Sequence, residues 1–483
     1  MQLGRNHLSA SLNTAGRTAE AVATGFSASD GEIRFSQRGA LLKEPVEADS
    51  RHPNEIPRSR YGIHSKSDRL LAHMPASRHI LIVASGPLCR NPRPSKEAIT
   101  LDQAGFAVTV LSIFEGEECL AQDAELLAAS HVRQIWLRPG GTGLARNWCR
   151  VRVALARYAV THFSWQTPLV LGPTPALLAR IRAVPADLTI VHNEAPMWAG
   201  RQLLKEGRRV AADFEDWYSE DLLPAARRCR PLPLLRTLER ELLHRAVYVS
   251  TTSQALADAL HRTYAGQPPH VVLNAFPRQT LPERIGLNAT PSFFWFSQTI
   301  GPGRGLEPFL EAWAKTRQPS RVVLLGNASA SYRNRLIRLL PEARRAGVEF
   351  LEPVSPLALP AVIARHDIGL ALEPTTPPSR NLTITNKFFQ YLNAGLAIVA
   401  SDTAGQREGF AAAPDIGEIV SLADPATLAP RLDALLGDPI RLSGMKAASR
   451  RAVATRLGWD KTAPLLVRFV EEAFADSLPN VRT

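Results

Sequence analysis

No apolar run in these 483 residues is long enough to span a bilayer, and the first residues lack the apolar core of a secretory signal. Cysteine is scarce. Cys89, Cys119, Cys149 and Cys229 are the only four, and no two stand close enough for a zinc knuckle or a redox pair. That scatter fits a reducing cytosol. Zinc-finger spacing, long lysine runs and nucleic-acid-binding signatures are also missing. The net charge of +12 therefore points to small anions, nucleotides or acidic lipid rather than to DNA or RNA. A cytoplasmic protein is expected, with at most a peripheral, electrostatic contact to a membrane surface.

What is present is a long α/β pattern. A chain of this length exceeds one ordinary core. Residues 1–77 are rich in Ser, Arg and Pro with little periodicity, and read as a disordered extension. From His79 onward, short apolar runs alternate with helical segments. His79–Ala84, a helix over 94–103 and Phe106–Ile113 form the first β-α-β unit. Further strands are expected at 169–171, 188–191, 209–212, 246–251 and 270–273. A second series starts at Phe293, with strands at 293–296, 321–325, 348–351, 368–372, 396–400 and 418–422. The expected fold is two Rossmann-like β/α domains facing a cleft. The first covers 78–285 and the second 286–462, with a terminal helical segment, 463–483, packing back towards the first.

Asn386-Lys387-Phe388-Phe389-Gln390-Tyr391-Leu392-Asn393-Ala394-Gly395 reads as a short helix with Asn386 as N-cap and Gly395 as its stop. Lys387 is out of place, because a helix start favours anions. A phosphate bound there resolves the conflict. The alternative is an exposed lysine on an ordinary core helix. The loop Gly301-Pro302-Gly303-Arg304-Gly305 sets a second cation in a glycine-rich turn before a helix.

Several segments, in order, resemble the large retaining family of GT-B glycosyltransferases (family 4-like, group 1) that includes sucrose synthases and bacterial polysaccharide transferases. Arg90 to Glu97 with Gly105 resembles the family's first helix. Glu239 to Leu243 with Val249 to Ser253 resembles its late N-domain helix and strand, and Val272 to Phe276 its Val-x-Asn-Gly turn. Asn386 to Gly395 resembles its donor helix, usually Asn-Lys-x-x-Glu-Tyr-x-x-Ala-Gly. The resemblance spans about 79–474. It implies transfer of a sugar, with retention, from a UDP- or GDP-type donor to a glycan or lipid-linked glycan, without a metal or other cofactor.

By the same resemblance, Arg304, Gly303, Lys387, Asn386, Gln390 and Ser297 fall at donor-binding positions. Arg304 and Lys387 would neutralise the diphosphate, and Gln390 would hold ribose. The chain departs from the family in three places. Ser297 replaces an arginine, and Gln390 and Leu382 replace the paired glutamates. Glu373, at a strand end, is the substitute carboxylate, with Arg380 as its possible partner. In the first domain Glu215, at the place of the family's histidine, and His192 are the acceptor-side catalytic candidates. The surrounding acids Asp213, Asp216, Glu220 and Asp221 offer ligands a metal would accept. Gly86, in the first loop, permits close approach of a ligand to the backbone. The lost glutamates leave two other readings open: a GT-B-shaped binding or assembly protein without activity, and a nucleotide-sugar epimerase.

Overall fold

A computed structural model describes residues 78–139, 144–278 and 286–475. The N-terminal extension, the expected domain boundary at 285 and the end of the terminal segment lie outside these residues. Among the described residues, thirteen strands form two sheets, each wholly parallel in its pairings. The first holds β1 (His79–Ala84), β2 (Ala107–Ile113), β3 (Arg133–Leu137), β4 (Leu188–His192), β5 (Val210–Phe214), β6 (Val249–Thr251) and β7 (His270–Val271), in the order β3-β2-β1-β4-β5-β6-β7. The second holds β8 (Ser292–Thr299), β9 (Arg321–Asn327), β10 (Val348–Leu351), β11 (Ile368–Ala371), β12 (Ala397–Ser401) and β13 (Gly417–Val420), in the order β10-β9-β8-β11-β12-β13.

Parallel strands covered by helices on both faces must be largely apolar, and the central strands are. Ile80 to Ala84, Phe293 to Trp295, Val322 to Leu324 and Ala397 to Ala400 are buried on consecutive residues. Both sheets reverse their winding once, between β1 and β4 and between β8 and β11. In such sheets the loops at the carboxyl ends beside the reversal diverge and open a crevice. That rule selects the loops after β1, β4, β8 and β11 as places for a ligand.

Several local expectations are corrected. The strand expected at 169–171 is a single 3-10 turn, Pro168–Val170; Thr167 caps it, and proline at its first position favours a turn. Strand β3 had no strong signal, since Arg133–Leu137 is a half-exposed edge of mixed polarity. The helix Leu144–Phe163 fills the long connection that follows. The N-cap of the 386 helix is Thr385, and Asn386 is its first residue. Gly395 does end that helix, at φ +70°.

The terminal helix, Trp459–Ala475, starts earlier than expected and crosses to the first sheet's helices. Phe474 stacks on Phe106 and Phe469 on His270, while Trp459 Nε1 donates to Thr100 Oγ1 at 2.9 Å. Direct bonds also join the cleft walls. Trp217 N–H donates to Ser379 Oγ at 2.9 Å, and Ser253 Oγ donates to the Leu382 carbonyl at 2.6 Å. Glu408 accepts the amides of Gln254 and Ala255, capping the helix Gln254–Tyr264 from the opposite domain.

Candidate active site

On the second-domain wall, the sequence places two small turns where a cation is needed. Gly303 and Gly305 both have left-handed backbones, φ +72° and +75°. A Cβ on Gly305 would also lie 2.7 Å from Leu422 Cδ1. The two glycines fold the loop after β8 tightly enough to bring Arg304 back over the sheet edge. Arg304 is half-buried. Burial lowers its pKa, opposed chiefly by Glu373, while Arg380 lowers it further and Asp221 and Asp216 raise it. The Arg380 guanidinium fixes the loop by donating to the Gly303 carbonyl at 2.9 Å.

Glu373 follows β11, on the other side of the reversal. It is 6% exposed and accepts from Lys387 Nζ at 3.2 Å and from Thr385 Oγ1 at 3.3 Å. Its partner is therefore Lys387 rather than Arg380. Burial alone would raise the Glu373 pKa, but Lys387, Arg304 and Arg380 together hold it below the ordinary value. Lys387 is 8% exposed, which removes the reading of an exposed lysine. Its ammonium lies 5.3 Å from the centre of the Trp295 ring. Burial lowers its pKa, Glu373 opposes this, and Arg304 adds to it. Three cations thus gather around Glu373 at the sheet's crevice, with Asp216 and Asp221 facing Arg304 and Arg380. Cations held together at a crevice can take an anionic ligand.

Asn386 Oδ1 is buried and has no protein partner, so this amide remains open to a ligand's polar group. Gln390 is half-buried one turn further along the same helix, and Ser297 is half-buried near the irregular end of β8. Leu382 does not line the site. Its side chain packs against the apolar core of the first domain, and its carbonyl accepts Ser253 Oγ. The position of the family's first glutamate has become an interdomain wedge.

On the first-domain wall, the candidates separate. His192 is fully buried, not cleft-facing. Its Nε2 bonds Glu97 at 2.5 Å and its Nδ1 bonds Glu215 at 3.2 Å, with Asp213 3.7 Å away. Burial opposes its charge, but Glu97, Glu215 and Asp213 prevail and raise its pKa to about 10. His192 is thus enclosed, with both ring nitrogens engaged by carboxylates of its own domain. Glu215 is tied into the same network, accepting Asn91 Nδ2 at 2.8 and 3.0 Å. Arg93 completes it, clasping Asp213 through Nε at 2.7 Å and Nη2 at 2.5 Å, with Nη1 on the Val272 carbonyl.

His192, Asp213 and Glu215 offer ligand atoms within 4.8 Å of one another. Each is already engaged, and the Arg93 guanidinium sits on the Asp213 carboxylate. This donor set fits a cation it already holds better than an added metal. The next residue, Asp216, is the one that faces across. It accepts Ser379 Oγ at 3.4 Å from the opposite wall. Burial, Asp221 and Glu215 raise its pKa well above the ordinary range, and burial lifts Asp221 to about 6 against Arg380 and Arg304. Gly86 lies by Glu115, whose Oε1 would be 3.0 Å from an added Cβ. That loop is held by Asp123, which accepts the amides of Leu88 and Cys89.

Residues 304–467, which contain Arg304, Glu373 and Lys387, match the family described as glycosyl transferase-like. The chain has the GT-B fold. Anabaena HepE in complex with UDP and glucose superposes with a TM-score of 0.58 at 14% identity, over 82% of this chain and 99% of that one. A mutant of S. aureus TarM, in complex with fondaparinux, alpha-GlcNAc-glycerol and UDP, gives 0.58 at 6% identity over 83% and 100%. A putative UDP-N-acetylglucosamine 2-epimerase from Listeria monocytogenes gives 0.52 at 12% identity over 84% and 99%. No curated protein matches in sequence. Buried Arg93, Lys96 and Glu97, behind the half-buried cap Asn91, explain why the first helix, Pro92–Gln103, is polar. Lys96 Nζ donates to Asn274 Oδ1 at 2.7 Å and lies 5.0 Å from the Trp459 ring centre, so this helix locks both the Val272 to Phe276 turn and the terminal helix.

Proposed function

We propose that this glycosyltransferase moves a sugar from a nucleoside diphosphate to a glycan or lipid-linked glycan, with retention of configuration. The observation that supports the reading is the grouping of three cations at this crevice: Lys387 on Glu373 at 3.2 Å, Arg380 on the Gly303 carbonyl at 2.9 Å, and Arg304 in the loop between them. It occurs where the second sheet reverses. Negative charge grows on the diphosphate as the glycosidic bond breaks, and preorganised cations in a poorly hydrated crevice stabilise it most. Arg304 and Lys387 take the phosphates, Asn386 offers its amide, and Gln390 bonds a ribose hydroxyl. The UDP complex of HepE supports a UDP-type donor. Asp216 and Asp221, in place of His192 and Glu215, hold sugar or acceptor hydroxyls from the facing wall.

Calorimetry with UDP and GDP, followed by product analysis with and without a glycan acceptor, tests this. UDP binding and acceptor-dependent sugar transfer are expected. Conversion of the sugar without an acceptor would favour the epimerase, whose architecture the Listeria structure shares. The lost glutamates favour one further reading, a binding or assembly protein. Nucleotide binding with an intact donor after every acceptor challenge would establish it and overturn transfer.

A further inference from the structure

Glu239 is a buried carboxyl outside the donor crevice. It stands in the helix Leu232–Arg245 and accepts the Ser219 amide at 2.8 Å and the Tyr264 hydroxyl at 2.5 Å. Burial raises its pKa to about 7, so its charged form costs stability as pH rises. Stability alone does not account for a carboxyl in this place. Both of its partners lead to the cleft. Ser219 is in the 3-10 turn Tyr218–Glu220, directly after Asp216 and Trp217. Tyr264 ends the helix Gln254–Tyr264 and meets the Trp217 ring edge-on, with 6.4 Å between centres.

The stretch 213–220 is anchored almost residue by residue. On its entry side, Ser250 Oγ donates to Asp213 Oδ2 at 2.6 Å, Thr251 Oγ1 to the Phe214 carbonyl at 2.7 Å and Thr252 Oγ1 to the Glu215 carbonyl at 3.3 Å. On its exit side, Glu239 takes the Ser219 amide, and Arg227 and Arg236 hold the Glu220 carboxylate at 2.7 and 2.9 Å. Asp216 and Trp217 lie between the two anchors, and both meet Ser379 of the second domain. The Trp217 amide donates to Ser379 Oγ at 2.9 Å, and that hydroxyl donates to Asp216 Oδ1 at 3.4 Å. Without Glu239, the Ser219 amide and the Tyr264 hydroxyl would be buried and unpaired. The turn would shift to relieve them, and Asp216 would move with it.

We infer that Glu239 is a positioning residue: it fixes the turn that presents Asp216 and the Trp217 amide to Ser379, and so sets the geometry of the wall facing the donor site. It acts through that turn and touches no substrate. A displacement of about 1 Å at such a wall can cost on the order of 100-fold in rate. The consequence for turnover rests on the sugar transfer proposed above, with Asp216 holding a hydroxyl; the placement of the turn does not. Shape rather than charge is what the turn needs. In Glu239→Gln the amide oxygen still accepts the Ser219 N–H and the amide nitrogen donates to the Tyr264 oxygen. Glu239→Leu fills the space and loses both bonds.

The test compares Glu239→Leu, Glu239→Gln and Tyr264→Phe in the full chain, well below their melting temperatures. Three quantities are read: amide hydrogen exchange over 215–221, UDP affinity by calorimetry, and kcat and KM for sugar transfer. Glu239→Leu should exchange faster over 215–221 and lose about 10- to 100-fold in kcat. It should keep its UDP affinity, because Arg304 and Lys387 lie in the other domain. Tyr264→Phe removes one of the two bonds and keeps the ring. It should shift exchange and kcat the same way by less, and it decides the matter if Glu239→Leu does not fold. Glu239→Gln should match wild type throughout. Wild-type exchange over 215–221 in a folded Leu or Phe variant would overturn the inference. So would a Gln variant as impaired as the Leu variant, or a fall in UDP affinity alongside kcat, which would make the defect global. If the wild type transfers no sugar, the transfer proposal fails by itself, and the exchange comparison still decides the role of Glu239.

Discussion

Lys387 offers the most discriminating test, because its two proposed tasks can be separated. Its ammonium lies 3.2 Å from Glu373 Oε1, and both side chains are at most one-tenth exposed. At an effective dielectric near 20, that separation corresponds to about 5 kcal/mol of gross attraction, much of it offset by desolvation. Lys387→Met keeps the volume but strands a buried carboxylate. Breaking such a pair costs about 3–5 kcal/mol. Arg304 and Arg380 still face Glu373, so the lower end, about 3 kcal/mol, is expected. Adding Glu373→Gln removes the stranded charge and should recover most of that loss in a urea melt. The ligand contact is another matter. A charge-assisted bond to phosphate is worth about 1.5–3 kcal/mol, or roughly 10- to 150-fold in Kd. Calorimetry with UDP should therefore find both the single and the double variant weakened by that factor. If the double variant regains stability and UDP affinity together, Lys387 is only the structural partner of Glu373, and the diphosphate clamp is wrong.

Leu382→Glu, which reinstates the family's residue, should not raise turnover. It places a carboxylate against the first domain's apolar core and should lower stability by about 1–3 kcal/mol, read by thermal melting. Arg93→Met should destabilise by about 3 kcal/mol in chemical denaturation, since it removes the closest cation from buried Asp213 and leaves only His192, 3.7 Å away, and the Ser250 hydroxyl. Glu239 gives a pH dependence. It is 1% exposed, accepts Ser219 N–H and Tyr264 O–H, and burial lifts its pKa from 4.5 to about 7. A raised carboxyl pKa favours the protonated fold, so its contribution is complete below about pH 4.5 and lost as pH rises through about 7. That loss is on the order of 3 kcal/mol. Glu239→Gln should accordingly be more stable than wild type at pH 8, with the advantage vanishing near pH 4.

The sequence by itself determined the class of fold and the positions of two cations, Arg304 and Lys387, that the fold brings to one crevice. Consecutive apolar residues such as Ile80 to Ala84 and Ala397 to Ala400 leave little choice but buried parallel strands. The glycines around Arg304 and the lysine at a helix start are local signals, legible because backbone conformation and helix dipoles act within a few residues. Strand β3 escaped because a half-exposed edge has no strong period, and Asn386 was misplaced by one residue because caps compete at that scale.

The tertiary structure decided which charged groups face solvent, ligand or one another. His192 and Asp213 stand beside Asp216 and Asp221 among the same acids in sequence, yet Glu97 and Arg93, more than ninety residues away, enclose the first two, while Asp216 meets Ser379 of the facing wall. Leu382 turned from a missing glutamate into an interdomain contact. Propensity is local, whereas a side chain's charge state and exposure depend on neighbours that only the folded chain brings near.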